Sequence, residues 1–405
     1  MQETIVLKEQ TPMSSHNRVL SIDRFRGFAI MLVLMFGAAQ LTGDAAPWLQ
    51  QFSTHDLSIA WCIIPHYAVY DLGAPFFIFA CGLSYAFSFA SMKRKYGLRG
   101  AYKKSAIRSI RLIGIGSLLL FAPSSTVGLV SLILMIVTIC AFIIVALISK
   151  KHKQAFTSFY RVFNIVLFWL GIALILNQVV EIVLYFCHYQ VPDGNWSVLP
   201  SIGFAMLLLV PFLNLKPHYS IIVSILGTIA YTAAHYYIGE TTFAFFNHGG
   251  MLGSFGWALL MLYSKTLIDM RKLSKPLMYI YALCLIGIGV TLFFAELPSK
   301  HSVNTTYILI SFGFSFIAFI IFECFNKVKV KYDIFAIAGR NTLLLYVLHP
   351  FISFPVGICI NALVSYIQVP EWLGTILVLV FLFIYYLLMV YLCKKINARG
   401  FRLKN

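Results

Sequence analysis

Two side chains at the mouth of an apolar run carry the first hint of chemistry. In Trp61-Cys-Ile-Ile-Pro-His66-Tyr-Ala-Val-Tyr-Asp71-Leu-Gly-Ala-Pro75 an imidazole precedes a carboxylate, and the largely apolar stretch Phe76 to Ala90 follows. A neutral imidazole, with an unperturbed pKa of about 6.5, can take a proton from an attacking hydroxyl or amine, or attack a carbonyl itself. A nearby carboxylate would fix its tautomer and stabilise the imidazolium. His66 and Asp71 are therefore the candidate catalytic pair. The competing reading is an interfacial histidine, with Asp71 capping or pairing locally. The i, i+5 spacing does not stack the two on an ideal helix, and Pro65 predicts that a helix starts here.

Three further places invite a role. Arg18-Val-Leu-Ser-Ile-Asp23-Arg24-Phe-Arg26-Gly27 reads as a charged turn leading into the apolar run Phe28 to Leu41. Guanidinium forks there could grip phosphate bidentately, with Gly27 allowing close backbone approach. Equally, Arg24 and Arg26 could be plain membrane-side anchors and Asp23 a helix-start carboxylate. In Gly339-Arg340-Asn341-Thr-Leu-Leu-Leu-Tyr346-Val-Leu-His349-Pro350, Tyr346 and His349 share a helix face, with Asn341 about a turn and a half below. They could line one cavity or serve as interhelical hydrogen-bonding groups. Phe246-Asn247-His248-Gly249-Gly250 is a short glycine loop that could admit a substrate or simply turn the chain.

These residues are set in a chain built for lipid. It has 405 residues, 60% hydrophobic and only 11% charged, and apolar runs of about twenty residues recur to its end. Spans are predicted near 27–43, 67–91, 108–123, 126–149, 162–187, 199–214, 219–239, 251–268, 277–296, 304–325, 336–365 and 373–393. Pro350 and Pro355 predict a break inside the eleventh. The fold class is all-α, a polytopic integral membrane bundle of about 10–12 transmembrane helices. It divides into a polar tail at 1–17, a single transmembrane domain at 18–393 and a basic tail at 394–405. No cleavable signal peptide is expected in the first 17 residues, which are polar.

The formal charge of +17 raises nucleic acid as a partner, but the basic residues fall in short clusters between apolar runs, so no nucleic acid is expected. Lys93 to Arg108, Lys150 to Arg161, Lys265 to Lys275, Lys327 to Lys331 and Lys394 to Lys404 all land on one side of a twelve-span chain, with Lys300 the lone Lys or Arg opposite. Both termini are then cytoplasmic, in the cell membrane. The eight cysteines form no CxxC pair, so neither a disulfide framework nor a metal site is expected.

Three motifs together, Ser21-Ile-Asp23-Arg-Phe-Arg26-Gly27-Phe-Ala-Ile-Met-Leu, Asp71-Leu-Gly-Ala-Pro75-Phe-Phe-Ile-Phe-Ala-Cys-Gly82-Leu-Ser and Ser105-Ala-Ile-Arg108-Ser-Ile-Arg111-Leu, resemble the bacterial relatives of heparan-α-glucosaminide N-acetyltransferase. The likeness covers roughly the first 115 residues and returns at Gly339 to Tyr346. The resemblance implies a transmembrane acyltransferase that moves an acyl group, acetyl foremost, from cytoplasmic acyl-CoA to an amine or hydroxyl of an extracytoplasmic glycan or glycolipid. It assigns the reacting histidine to His66, with His55 in reserve, and Asp71 beside it. Asp23, Arg24, Arg26, Arg108, Arg340 and Asn341 become the expected acyl-CoA-binding set, and His248, Tyr346 and His349 the acceptor side. A homodimer is left open. The rival reading is a transporter or flippase with a proton or substrate path through Asp71, Glu181, His235 and His349. A non-catalytic membrane scaffold is the third.

Overall fold

The computed structural model describes residues 19–40, 62–65, 67–118, 153–188, 196–245, 249–328, 330, 332–367 and 370–398. They form an all-α multi-pass bundle: α1 (Leu20–Gln40), α2 (Gly73–Leu118), α3 (Lys153–Phe186), α4 (Val198–Leu209), α5 (Pro217–Ile238), α6 (Glu240–Phe245), α7 (Gly250–Leu273), α8 (Lys275–Phe293), α9 (Thr305–Cys324), α10 (Ile334–Arg340), α11 (Thr342–Ile367) and α12 (Glu371–Ala398). Among the described residues, seven helices are long and apolar enough to cross a membrane. The predicted span at 126–149 lies outside the described residues.

Burial sorts these helices into centre and rim. The most apolar window of α7 is 78% buried, against 17% for α3 and for α5. A helix apolar all round and exposed along most of its length belongs against lipid tails. Helices pack closely where glycine removes the side chain: a β-carbon on Gly114 of α2 would stand 1.9 Å from the Leu167 carbonyl of α3, and one on Gly171 would stand 2.1 Å from that of Ile110. In lipid, where apolar burial drives little, such backbone approach supplies the packing.

Four expectations are corrected. The stretch expected as a charged turn is helix, for α1 starts at Leu20 rather than near 27, and Asp23, Arg24 and Arg26 lie within it. The charges are tolerated because distant segments neutralise them, as described below. Secondly, Pro65 does not start a helix. It lies in the turn between β1 (Cys62–Ile64) and β2 (Tyr67–Ala68), an antiparallel pair. A 3-10 turn, Val69–Leu72, then leads into α2. Its third residue reaches back, Asp71 Oδ2 accepting the Ala68 N–H at 2.9 Å, which satisfies a donor that the turn leaves orphaned.

Thirdly, the eleventh span is interrupted at Asn341 and not at its prolines: Pro350 and Pro355 lie inside α11. At the break Asn341 adopts φ −125° and ψ 21°, and its amide donates to the Ile337 carbonyl at 2.8 Å. Lastly, Lys265 is no membrane-side anchor. It is buried inside α7, where Asp269 Oδ2 at 2.9 Å, Ser220 Oγ at 2.7 Å and the Leu215 carbonyl at 3.2 Å hold its ammonium.

The predicted second and third spans are one element with a hinge. Gly97, at φ 70° and ψ 177°, breaks α2 into two helical arms. That conformation is open to glycine and strained for other residues. The kink turns the second arm back beside the first, so that Arg108 Nη1 donates to Ser88 Oγ at 3.0 Å.

Candidate functional site

Between α1, both arms of α2, α4 and α11 lies a cavity of about 220 Å³. Arg26 comes from α1, Thr342, Leu343 and Tyr346 from α11, and Leu199, Ile202 and Met206 from α4. The first arm of α2 supplies Phe77, Cys81, Ser84, Tyr85 and Ser88, and the second arm Arg108 and Leu112. The α2 residues recur every three or four positions, so one helical stripe faces the cavity. That periodic polar stripe inside an apolar run was the sequence signal for Cys81, Ser84, Tyr85 and Ser88.

The electrostatics of this cavity are lopsided. Arg26 Nη2 donates to Thr342 Oγ1 at 2.9 Å, while its buried Nε has no hydrogen-bond partner. Arg108 leans on Ser88. Among the described residues neither guanidinium meets a carboxylate. Tyr85, only 2% exposed, faces Ser105 and Ser109 of the second arm of α2. Two cations sharing a small, half-apolar chamber without a carboxylate among the described residues repel each other and are poorly solvated. An anion bearing several acceptor oxygens relieves both costs. The volume is below the roughly 300–1,000 Å³ of sites for whole drug-sized ligands, so it suits a phosphate-bearing segment or an acyl arm better than an entire nucleotide conjugate.

Three expected site residues therefore converge: Arg26, Arg108 and Tyr346. Tyr346 stacks on Phe77 with ring centroids 6.5 Å apart. Four others do not join them. Arg24 turns away from the cavity. Its guanidinium binds Asp333 and the Phe325 and Val328 carbonyls, which lie in the turn that ends α9, where a cation meets the negative end of the helix. Asp23 pairs with Arg340 at 3.2 Å, and Asn341 closes α10. Gly27, expected to admit a ligand, admits a helix: a β-carbon there would stand 1.8 Å from the Phe335 carbonyl, and one on Gly339 would stand 1.7 Å from that of Asp23. These residues build the crossing of α1 with α10.

His349 does not line this cavity. His349 Nδ1 is 2.6 Å from Tyr385 Oη of α12, and its ring packs on α1, where a β-carbon on Gly37 would stand 2.6 Å from Nε2.

At the other end of the first arm of α2, Asp71 is buried and paired with Lys300, Nζ to Oδ1 3.3 Å. Its backbone carbonyl accepts Tyr307 Oη at 3.1 Å. Burial pulls the Lys300 ammonium down from its ordinary value to about 8, with Asp71 opposing the shift. Tyr67, beside His66 in sequence, is locked by Ser311 Oγ at 2.9 Å, and burial raises its phenol above the usual range. His66, His55 and His248 lie outside the described residues. Of the rival path, Glu181 accepts from Asn177 and Gln178 on its own helix, and His235 Nδ1 lies 3.9 Å from Glu296.

The chain matches no family model and no curated protein.

Proposed function

We propose that this membrane protein is an acyl-CoA-dependent acyltransferase acting on an amine or hydroxyl of an extracytoplasmic sugar or glycolipid. The observation that carries the reading is the pair of guanidinium groups, Arg26 and Arg108, facing one cavity without a carboxylate among the described residues. Phosphate oxygens of the donor meet these two side chains, and the apolar walls from α2 and α4 receive the pantetheine arm. The motif resemblance gives the same inner mouth to acyl-CoA.

In this reading His66, which precedes α2 in the sequence, takes the proton of the attacking hydroxyl or amine. The acyl carbon then bonds to that oxygen or nitrogen as its bond to sulfur breaks. Asp71, tied to Lys300, holds the turn that opens α2.

The test is thermal unfolding of purified protein with CoA and, separately, with pantetheine, which lacks the phosphates. A ligand bound only by the native state raises the midpoint. CoA is expected to stabilise and pantetheine to do far less. Acyl transfer to sugar acceptors should vanish in His66→Ala with CoA stabilisation intact. Absence of any CoA effect, or native turnover in His66→Ala, overturns the reading. A carrier is the second reading, favoured by the Glu181 carboxylate held by two side-chain amides in a spanning helix, and it predicts no response to CoA.

A further inference from the structure

The hairpin tip of α2 holds a charge that the chain itself does not answer. Lys93, Arg94, Lys95, Arg99, Lys103 and Lys104 flank the Gly97 hinge, and all six are exposed. No Asp or Glu occurs in the sequence between Asp71 and Glu181, and among the described residues none of the six meets a carboxylate. The basic residues near the C-terminal end of α7 differ. Asp269 pairs there with Lys265 and Lys272, and Glu323 with Arg271. Like charges gathered on one exposed tip set up a field that draws anions from outside the chain.

The depth of the tip says which anions. From Gly73 to Met92 the first arm carries no charge, and that stretch rises about 30 Å, the thickness of a hydrocarbon core. Lys93 then stands where the hydrocarbon ends, and Tyr96 about 6 Å further on, inside a headgroup layer of roughly 5–7 Å. The second arm returns alongside, with the Phe89 and Tyr102 rings packed at 5.2 Å between centroids, so Lys103 and Lys104 are held beside the end of the first arm. The tip also carries apolar surface suited to that layer. Tyr96 is 44% and Leu98 39% exposed, and the ammonium groups of Lys104 and Lys95 lie 4.1 and 5.2 Å from the Tyr96 ring centroid. A ring among cations is how an interfacial anchor is built: the ring lies at the edge of the acyl chains while the long cationic stems reach the phosphates. A soluble acidic protein or an RNA would answer the charge but not the depth, which headgroups already occupy.

We propose that the tip of α2, with Arg94, Lys95, Arg99 and Lys103 set around Tyr96, is a binding site for anionic phospholipids of the leaflet it reaches; this is independent of the acyl-CoA reading above. The selectivity is for net charge. A zwitterionic headgroup brings its own ammonium, which competes for the phosphate and is repelled by the tip, whereas an anionic headgroup offers the phosphate alone. A tip held in this way fixes both arms of α2, the arms that carry Ser88 and Arg108 to the cavity.

The experiment titrates the full chain in detergent with phosphatidylglycerol, with phosphatidylcholine of the same acyl chains, and with glycerol 3-phosphate, reading thermal unfolding and the lipid retained in native mass spectrometry. Phosphatidylglycerol should be retained and raise the midpoint, and the effect should shrink as salt rises. Phosphatidylcholine lacks the net charge and glycerol 3-phosphate the acyl chains, so neither should match it. Replacing Arg94, Lys95, Arg99 and Lys103 together by Gln should cost roughly 100-fold in phosphatidylglycerol affinity and leave the midpoint without lipid unchanged. Lys93, which donates to Asn214 Oδ1 at 2.7 Å, stays in place. Equal responses to the two lipids, a full response to glycerol 3-phosphate, or unaltered phosphatidylglycerol binding in the fourfold variant overturns the proposal. Stronger stabilisation by an RNA oligonucleotide than by phosphatidylglycerol overturns it as well. If the fourfold variant does not fold, cross-linking the native chain to a phosphatidylglycerol that carries a photoreactive headgroup decides the matter: label confined to peptides outside residues 89–104 rejects the site.

Discussion

Lys300 Nζ stands 3.3 Å from Asp71 Oδ1 with both side chains buried, so the loop that follows α8 is fastened to the turn that opens α2. The pairing has a definite pH signature. The folded pKa of Lys300, about 8, lies below its ordinary 10.5, so between those values the unfolded chain holds more protons than the folded one. This group's contribution to stability therefore rises with pH across that window. In Lys300→Met the rise is absent and Asp71 is left buried without its cation, a loss of roughly 3–5 kcal/mol for a broken buried pair. Denaturation of native and Lys300→Met protein at about pH 7.5 and about pH 10 should show the gap between them widening. A gap that narrows would reject the assignment.

The crossing of α1 and α10 rests on exchange: Asp23 and Arg24 of one side meet Arg340 and Asp333 of the other. Asp333 also caps α10, Oδ1 accepting the Ala336 N–H at 2.9 Å. The Arg24 side chain is only 6% exposed, so the same penalty of roughly 3–5 kcal/mol applies to Arg24→Ala. Arg24→Lys keeps the charge but loses the fork that reaches three acceptors, and should recover only part of the loss. Because Arg24 does not face the cavity, folded Arg24→Lys should retain its response to CoA. A variant as stable as the native chain that has lost that response would put Arg24 back at the binding surface.

How far the residues announced these roles depends on whether their partners are near in sequence. The apolar runs of α5, α7, α8 and α9 are local signals, and the predicted spans match the helices closely. Arg26 and Arg108 were expected on the acyl-CoA side and Tyr346 on the acceptor side, and one cavity lined by all three was not foreseen, because the polar stripe of α2 that joins them went unread. The fate of Arg24 was not visible, because its partner Asp333 is 309 positions away and hydropathy treats any charge as the edge of a span. Lys265 misleads for the same reason, since Ser220 and the Leu215 carbonyl come from another helix. At Pro350 and Pro355 the propensity argument pointed to a break that the helix does not make; the interruption falls instead where Asn341 can bond back to Ile337.

Three glycines separate close packing from backbone freedom. A methyl group on Gly27 or Gly339 would meet a carbonyl of the opposing segment at under 2 Å (1.8 and 1.7 Å), so Gly27→Ala and Gly339→Ala must force α1 and α10 apart. Either should cost several kcal/mol, above the roughly 1–3 kcal/mol of ordinary overpacking, and lower the yield of folded protein. At Gly97 a β-carbon meets nothing within 4 Å, and only φ 70° opposes it. Gly97→Ala and Gly97→Asn should each cost roughly 1–3 kcal/mol, since φ 70° with ψ 177° lies in a region essentially open to glycine alone. Thermal unfolding of the four variants gives the order, and a Gly27→Ala protein as stable as Gly97→Asn would refute the crossing.

The cavity makes the sharpest demand, because stability and binding should move in opposite directions there. Arg26 and Arg108 repel each other in the empty chamber, so Arg26→Gln or Arg108→Gln removes a cost from the unliganded protein, and its melting midpoint should hold or rise. Binding loses a charged hydrogen-bond donor, worth about 1.5–3 kcal/mol, or roughly 10- to 100-fold in affinity for CoA. Rising salt should weaken CoA binding to the native chain and do so less in either variant, since fewer charges remain to screen. Calorimetric titration with CoA, beside unfolding scans of the same preparations, measures both quantities. Full affinity in the double variant would remove the two guanidinium groups from the binding site, whereas a fall in both stability and affinity would make them structural supports of the kind that Arg24 is.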